Sequence, residues 1–143
     1  MHNIENILTE KALKLYETLK ESIAGNNIQK KEFRKTYIAY AGELKKSGFK
    51  NEAKYIIVIC GEYLLLAEKP IVKKQYYMEL FDRLDYLICI KRNSPDIYRN
   101  EYVKFRRHYI EESGRLAKEL YTPEDPLDEE TCYNLLSPIS KYL

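Results

Sequence analysis

The residues best suited to chemistry in this 143-residue chain are basic: Lys104, Arg107, His108, Arg115 and Lys118. Wound as a helix at about 100° per residue, they fall on one side, with Glu111 interrupting them. Tyr98, Tyr102, Phe105 and Tyr109 line the other side. A basic helix face attracts phosphates through charge and counterion release, and nearby tyrosine rings can stack on unpaired bases. A core-facing aromatic stripe backed by solvated charge gives the same pattern with no ligand. Arg99 and Arg106 project beside the apolar stripe, where they suit carboxylates or a partner. More bases cluster at Lys30, Lys31, Arg34 and Lys35, and again at Lys73 and Lys74.

Catalytic and metal-binding patterns are missing. The two histidines are His2, in a terminus prone to fraying, and His108, so no His/Cys pair has the spacing of a zinc clip. No Glu-x-x-His is present to build a carboxylate-bridged metal pair inside a bundle, and the five glycines are too scattered for a phosphate loop. Asp82 and Asp85, three apart beside Arg83, read as a solvated surface group. The expectation is a protein with no enzymatic activity, no cofactor and no metal.

The elements that must position these residues are helical. Apolar residues recur at helical spacing over Ile4 to Ile23, and Gly25-Asn26-Asn27 ends that segment. A second helix is predicted from about Gln29 to Ser47, with Phe33, Tyr37, Tyr40 and Leu44 on one stripe. Gly48 is placed to cap it in a left-handed conformation. A third, about Asn51 to Glu68, is apolar almost all round and belongs in the middle of a bundle. Its Ile56-Ile57-Val58-Ile59 run has the composition of a buried strand, but the flanking Glu-Ala-Lys and Leu-Leu-Leu-Ala-Glu favour helix. Ile56, Ile59, Cys60 and Tyr63 are expected to face the second helix. Pro70 opens a fourth helix that runs to about Lys91, and Ser94-Pro95 opens a fifth, about Asp96 to Tyr121. A last short helix starts at Asp128 and loses regularity at Pro138. The fold class is therefore all-α: a single-domain bundle of five or six helices with a short antiparallel hairpin at its centre.

Within that hairpin, residues 37–66 resemble a single, degenerate tetratricopeptide repeat. Tyr37 takes the large aromatic position, Ala41 and Cys60 the small positions, Gly48 the turn, and Glu52-Ala53 the opening of the second helix. Tyr40 stands where that family usually has Leu, Leu44 where it has an aromatic, and the closing proline is missing from its place. No second copy occurs at the period of about 34 residues. The resemblance implies a peptide or protein partner and no chemistry of its own.

Composition sets the remaining bounds. A hydrophobic content of 45% with only five Gly and five Pro excludes wholesale disorder and argues against a turn-rich sandwich or barrel. Fourteen Tyr and no Trp place several tyrosines at the core boundary, with the hydroxyl reaching water or a partner. From Glu119 onward there are six acids and one base, so residues 1–121 read as a helical bundle and 122–143 as an acidic segment docked on it. Cys60, Cys89 and Cys132 are odd in number and widely spaced, and two of them sit in apolar runs, which suits a reducing compartment. The amino terminus lacks a basic-then-apolar signal pattern, and no apolar stretch approaches the ~20 residues of a membrane span.

The function expected is that of a cytoplasmic helical interaction module, an adaptor or small subunit of a larger assembly with a protein partner and no membrane. The alternative is a helical protein binding the nucleic-acid backbone, such as a small ribonucleoprotein subunit. The oligomeric state is not legible in the sequence.

Overall fold

The computed structural model describes residues 4–25, 29–66 and 74–120, with the side chains of 65, 66 and 116–120 left aside. A 3-10 turn, Ile4–Asn6, precedes five helices: α1 (Glu10–Gly25), α2 (Lys30–Lys46), α3 (Lys50–Leu66), α4 (Lys74–Asn93) and α5 (Pro95–Leu120). There is no strand among the described residues, so the Ile56–Cys60 run is helical. The expected start at Pro70 and the short helix from Asp128 lie outside the described residues, as does the whole of 122–143. No helix of the described residues is long and apolar enough to cross a membrane.

One boundary differs from expectation. The first helix does not begin at Ile4; α1 starts at Glu10, because Thr9 caps it, its Oγ1 accepting from the Ala12 N–H at 3.1 Å. The short turn before it still buries Ile4 and Leu8 in the common core.

The α2–α3 junction forms as the sequence requires. Gly48 has φ +92°, the left-handed region that suits glycine. The Phe49 N–H bonds to the Leu44 carbonyl at 2.8 Å and the Gly48 N–H to the Lys45 carbonyl at 3.1 Å, the paired bonds of a Schellman cap. Leu44 and Phe49, the hydrophobic pair of that cap, are both buried. Phe49 then starts α3 by accepting from the Ala53 N–H at 2.9 Å. One turn thus ends a helix and opens the next, which forces α2 and α3 antiparallel. The Lys91 ammonium donates to the Gly48 carbonyl at 2.7 Å and ties the end of α4 to this corner.

The first four helices form a ring: α1 packs on α2 and α4, and α3 packs on α2 and α4. This is an up-and-down four-helix arrangement. At its other end the Lys74 ammonium donates to the Ala24 carbonyl at 2.9 Å and closes α4 onto α1. α3 has the role expected of it. Ile56, Ile59, Cys60 and Tyr63 are buried, and Tyr63 meets Phe33 of α2 with ring centroids 6.0 Å apart. α5 turns back at Ser94 and lies over the α3–α4 groove. It runs level by level with α3: Tyr55 packs edge-on against Tyr102, Phe105 and Tyr109 at 6.0, 4.8 and 5.9 Å.

Several tyrosine hydroxyls point inward, because three carboxylates are buried among the described residues. Glu62 of α3 is 2% exposed; it accepts from Tyr77 of α4 at 3.0 Å and from Tyr109 of α5 at 2.5 Å. Glu52 accepts from Tyr98 at 2.5 Å. Asp85 of α4 accepts from Tyr16 of α1. Asp85 is therefore not part of a solvated surface pair with Asp82. It is buried while Asp82 is exposed, since it lies four residues after Phe81 and three before Ile88, within the apolar face. Burial pushes the Glu62 carboxyl up to about 7, against the lowering effect of both tyrosines. Burial likewise raises Asp85 to about 7, against Tyr16 and Lys20.

Candidate interaction surface

Two of the basic residues of the fifth helix pair with acids of the same helix. Lys104 and Arg107 are exposed, but Lys104 pairs with Glu101 of its own helix at 3.3 Å. Arg115 is held by Glu112 through two bonds, Nη2 at 2.6 Å and Nε at 3.1 Å, and this pairing keeps the Glu112 carboxyl below its ordinary value. His108 is half-buried and, with Arg115, lines a pocket of about 280 Å³ against Gln75, Tyr76, Glu79 and Arg83 of α4. The Lys118 side chain lies outside the described residues. Glu111 is the interruption visible on the helical projection. Glu101 and Glu112 reach the same bases across one turn, which a helical wheel understates for long side chains.

A denser basic surface lies on α2. Lys30, Lys31, Arg34 and Lys35 line a cleft of about 620 Å³ together with Ile38 and with Leu64 of α3. Lys35 has an exposed partner in Glu32 at 4.0 Å. Along α2, Lys31, Arg34, Ile38 and Lys45 share the outward stripe, and all four are exposed. Glu32 and Glu43 lie on the flank toward α1, roughly a third of a turn away. α3 carries the surface on through Lys50, Lys54, Ile57 and Gly61, because its two acids in the described range, Glu52 and Glu62, are turned into the core. The result is a cleft with a basic α2 wall, continued along α3 by a strip that carries Lys50, Lys54 and Ile57.

The exposed large apolar side chains have a pattern of their own. Among the described residues they are Ile38 of α2, Ile57 of α3, and Ile97, Val103 and Ile110 of α5; α1 and α4 contribute none. Ile38 is 53% exposed. Val103 and Ile110, two turns apart, lie on the side of α5 that borders α3, next to Arg99 and Arg106, and Ile97 sits on the opposite flank. The Nε of Arg106 is buried without a hydrogen-bond partner. α2 and α3 therefore each present one exposed apolar side chain and α5 presents the Val103/Ile110 pair, with Arg or Lys beside each of them. The α2 bases are legible in the sequence; the exposure of Ile38, Ile57, Val103 and Ile110 is not. An isolated apolar residue on a charged helix face carries no signal until the neighbouring helix is known.

No group of His, Cys, Asp or Glu among the described residues is arranged to hold a metal ion. Cys60 and Cys89 are both buried. Compared with known proteins, the chain matches no protein-family model, no curated protein and no solved structure.

Proposed function

We propose that this chain is a non-enzymatic helical interaction module, an adaptor or small subunit of a larger assembly, that holds a protein partner against the face made by α2, α3 and α5. One observation carries the reading: among the described residues the exposed large apolar side chains come from α2, α3 and α5, and Ile38, Ile57, Val103 and Ile110 of this face are interleaved with arginine and lysine. Apolar anchors with arginine beside them are what interface cores use, whereas a solvated face has no need of them. The likeness of residues 37–66 to a tetratricopeptide hairpin points the same way. The buried free thiol of Cys60 fits work in the reducing cytoplasm.

The second reading, attachment to the nucleic-acid backbone, is favoured by the run of bases along the α2 cleft. The two readings separate in one comparison. Tagged wild-type chain and a Val103→Asp/Ile110→Asp variant are isolated from the source cells, and co-purifying proteins are quantified by mass spectrometry. In parallel, both are titrated with labelled single- and double-stranded oligonucleotides at two salt concentrations. The module reading expects a protein retained by wild type and lost from the variant, with weak, nonspecific oligonucleotide binding. Tight oligonucleotide binding that falls steeply with salt, unchanged in the variant, would reverse the order.

A further inference from the structure

We propose that the α2–α3 groove is a docking site for an acidic amphipathic helix of a partner protein. The proposal rests on the interaction-module reading and assigns the partner's chemistry. The molecule shows how such a groove is filled one position along. α5 lies over the α3–α4 groove with Tyr55, Tyr102, Phe105 and Tyr109 packed between the helices. The α2–α3 groove beside it is likewise formed by two antiparallel helices, and exposed Ile38 with the edge of buried Leu64 lines a cleft of about 620 Å³ there.

Charge selects the occupant. Lys30, Lys31, Arg34 and Lys35 stand on the α2 wall and Lys50 and Lys54 on the α3 strip, while Glu52 and Glu62 are turned inward. A second copy of this face would bring like charges together, which disfavours a symmetric dimer through it. A phosphate backbone would satisfy the bases but leave the exposed Ile38 and Ile57 without an apolar counterpart. A helix with apolar residues at i, i+3, i+4 and i+7 and carboxylates on its flanks meets both demands: its stripe covers Ile38 and Ile57, and its acids fall against Lys31, Arg34 and Lys35 on one side and Lys50 and Lys54 on the other.

The test uses the full chain and a fluorescein-labelled peptide of about five helical turns with Leu on the stripe and Glu elsewhere. A Lys-for-Glu version of the peptide and a labelled single-stranded DNA serve as comparators. Anisotropy is expected to show saturable binding of the Glu peptide and none of the Lys peptide. Kd should rise roughly tenfold or more in Lys31→Glu/Arg34→Glu and also in Ile38→Asp. These positions are exposed, so circular dichroism should confirm unaltered folding, and Ile57→Asp provides an independent apolar probe. Binding that survives both kinds of substitution overturns the assignment. So does charge reversal abolishing binding while Ile38→Asp and Ile57→Asp leave it intact and the DNA binds equally well, which describes a polyanion patch. Absence of binding also overturns it; crosslinks from residues 124–130 to Lys31 or Lys35 would then name the chain's own acidic segment as occupant. Failure here is distinct from failure of the module reading. A native partner lost on Val103→Asp/Ile110→Asp but retained by Lys31→Glu/Arg34→Glu leaves the module standing and removes only the groove.

Discussion

Replacing Glu62 by glutamine should change how stability depends on pH, in a direction opposite to that of a surface carboxylate. Glu62 is enclosed between α3, α4 and α5, receives the hydroxyls of Tyr77 and Tyr109, and titrates at about 7 in place of the ordinary 4.5. Between those values the unfolded chain has released the proton while the folded one still holds it, so unfolding is coupled to proton release and stability falls as pH rises. The contribution is fully present below about 4.5 and is lost as pH climbs through about 7. At about 1.4 kcal/mol per pH unit, the gap corresponds to about 3 kcal/mol. Glutamine has nearly the same shape, still accepts one tyrosine hydroxyl, donates to the other once that ring's hydroxyl turns, and does not titrate. A constant offset between the two proteins is therefore uninformative, and only its change with pH matters. Urea unfolding followed by far-ultraviolet circular dichroism at pH 4.5 and 8.5 measures it. The variant should gain about 3 kcal/mol relative to wild type on going from the lower to the higher pH. Asp85 titrates in both proteins and cancels. A difference between the two proteins that is the same at both pH values would refute the reasoning, since it would mean that Glu62 ionises in the folded chain as easily as in water.

Other consequences are as specific. Tyr16→Phe removes the hydroxyl donated to Asp85, so its cost, about 1–3 kcal/mol in thermal or urea unfolding, should be larger above pH 7 than below, where the carboxyl is already protonated. Ile59→Ala opens a cavity at a fully buried site and should cost about 2–5 kcal/mol by urea unfolding. Gly48→Val forces a β-branched residue into a left-handed conformation and should cost about 1–2 kcal/mol or more. Ser47→Ala should change little in the same assay, because Ser47 acts through its backbone N–H.

What the sequence made legible was local. Helical spacing, Gly48 and Ser94-Pro95 located α2, α3 and α5 closely, and the apolar wrap of α3 marked it as central. Thr9 was missed as a cap because Ile4 and Leu8 keep helical spacing across the break. Asp85 was misread because its neighbour Asp82 drew it to the surface, although its place between Phe81 and Ile88 carried the contrary signal. Glu62 looked like an interruption in an apolar run; its role depends on Tyr77 and Tyr109, on two other helices. The candidate surface was the least visible part. Ile38, Ile57 and Ile110 lie far apart in the chain, and only the packing of α5 beside α3 brings their faces together. The bases of the fifth helix were visible, but their pairing with Glu101 and Glu112 was not.

The central claim is that α2, α3 and α5 together form the binding face. Hydrogen–deuterium exchange on the full chain, alone and in the complex isolated from its source cells, tests it most directly. Protection should concentrate in residues 30–45 of α2, the Lys50–Gly61 stretch of α3 and residues 99–111 of α5, with α1 unchanged. Protection confined to α1 and the outer side of α4, with these segments exchanging as in the free chain, would contradict it.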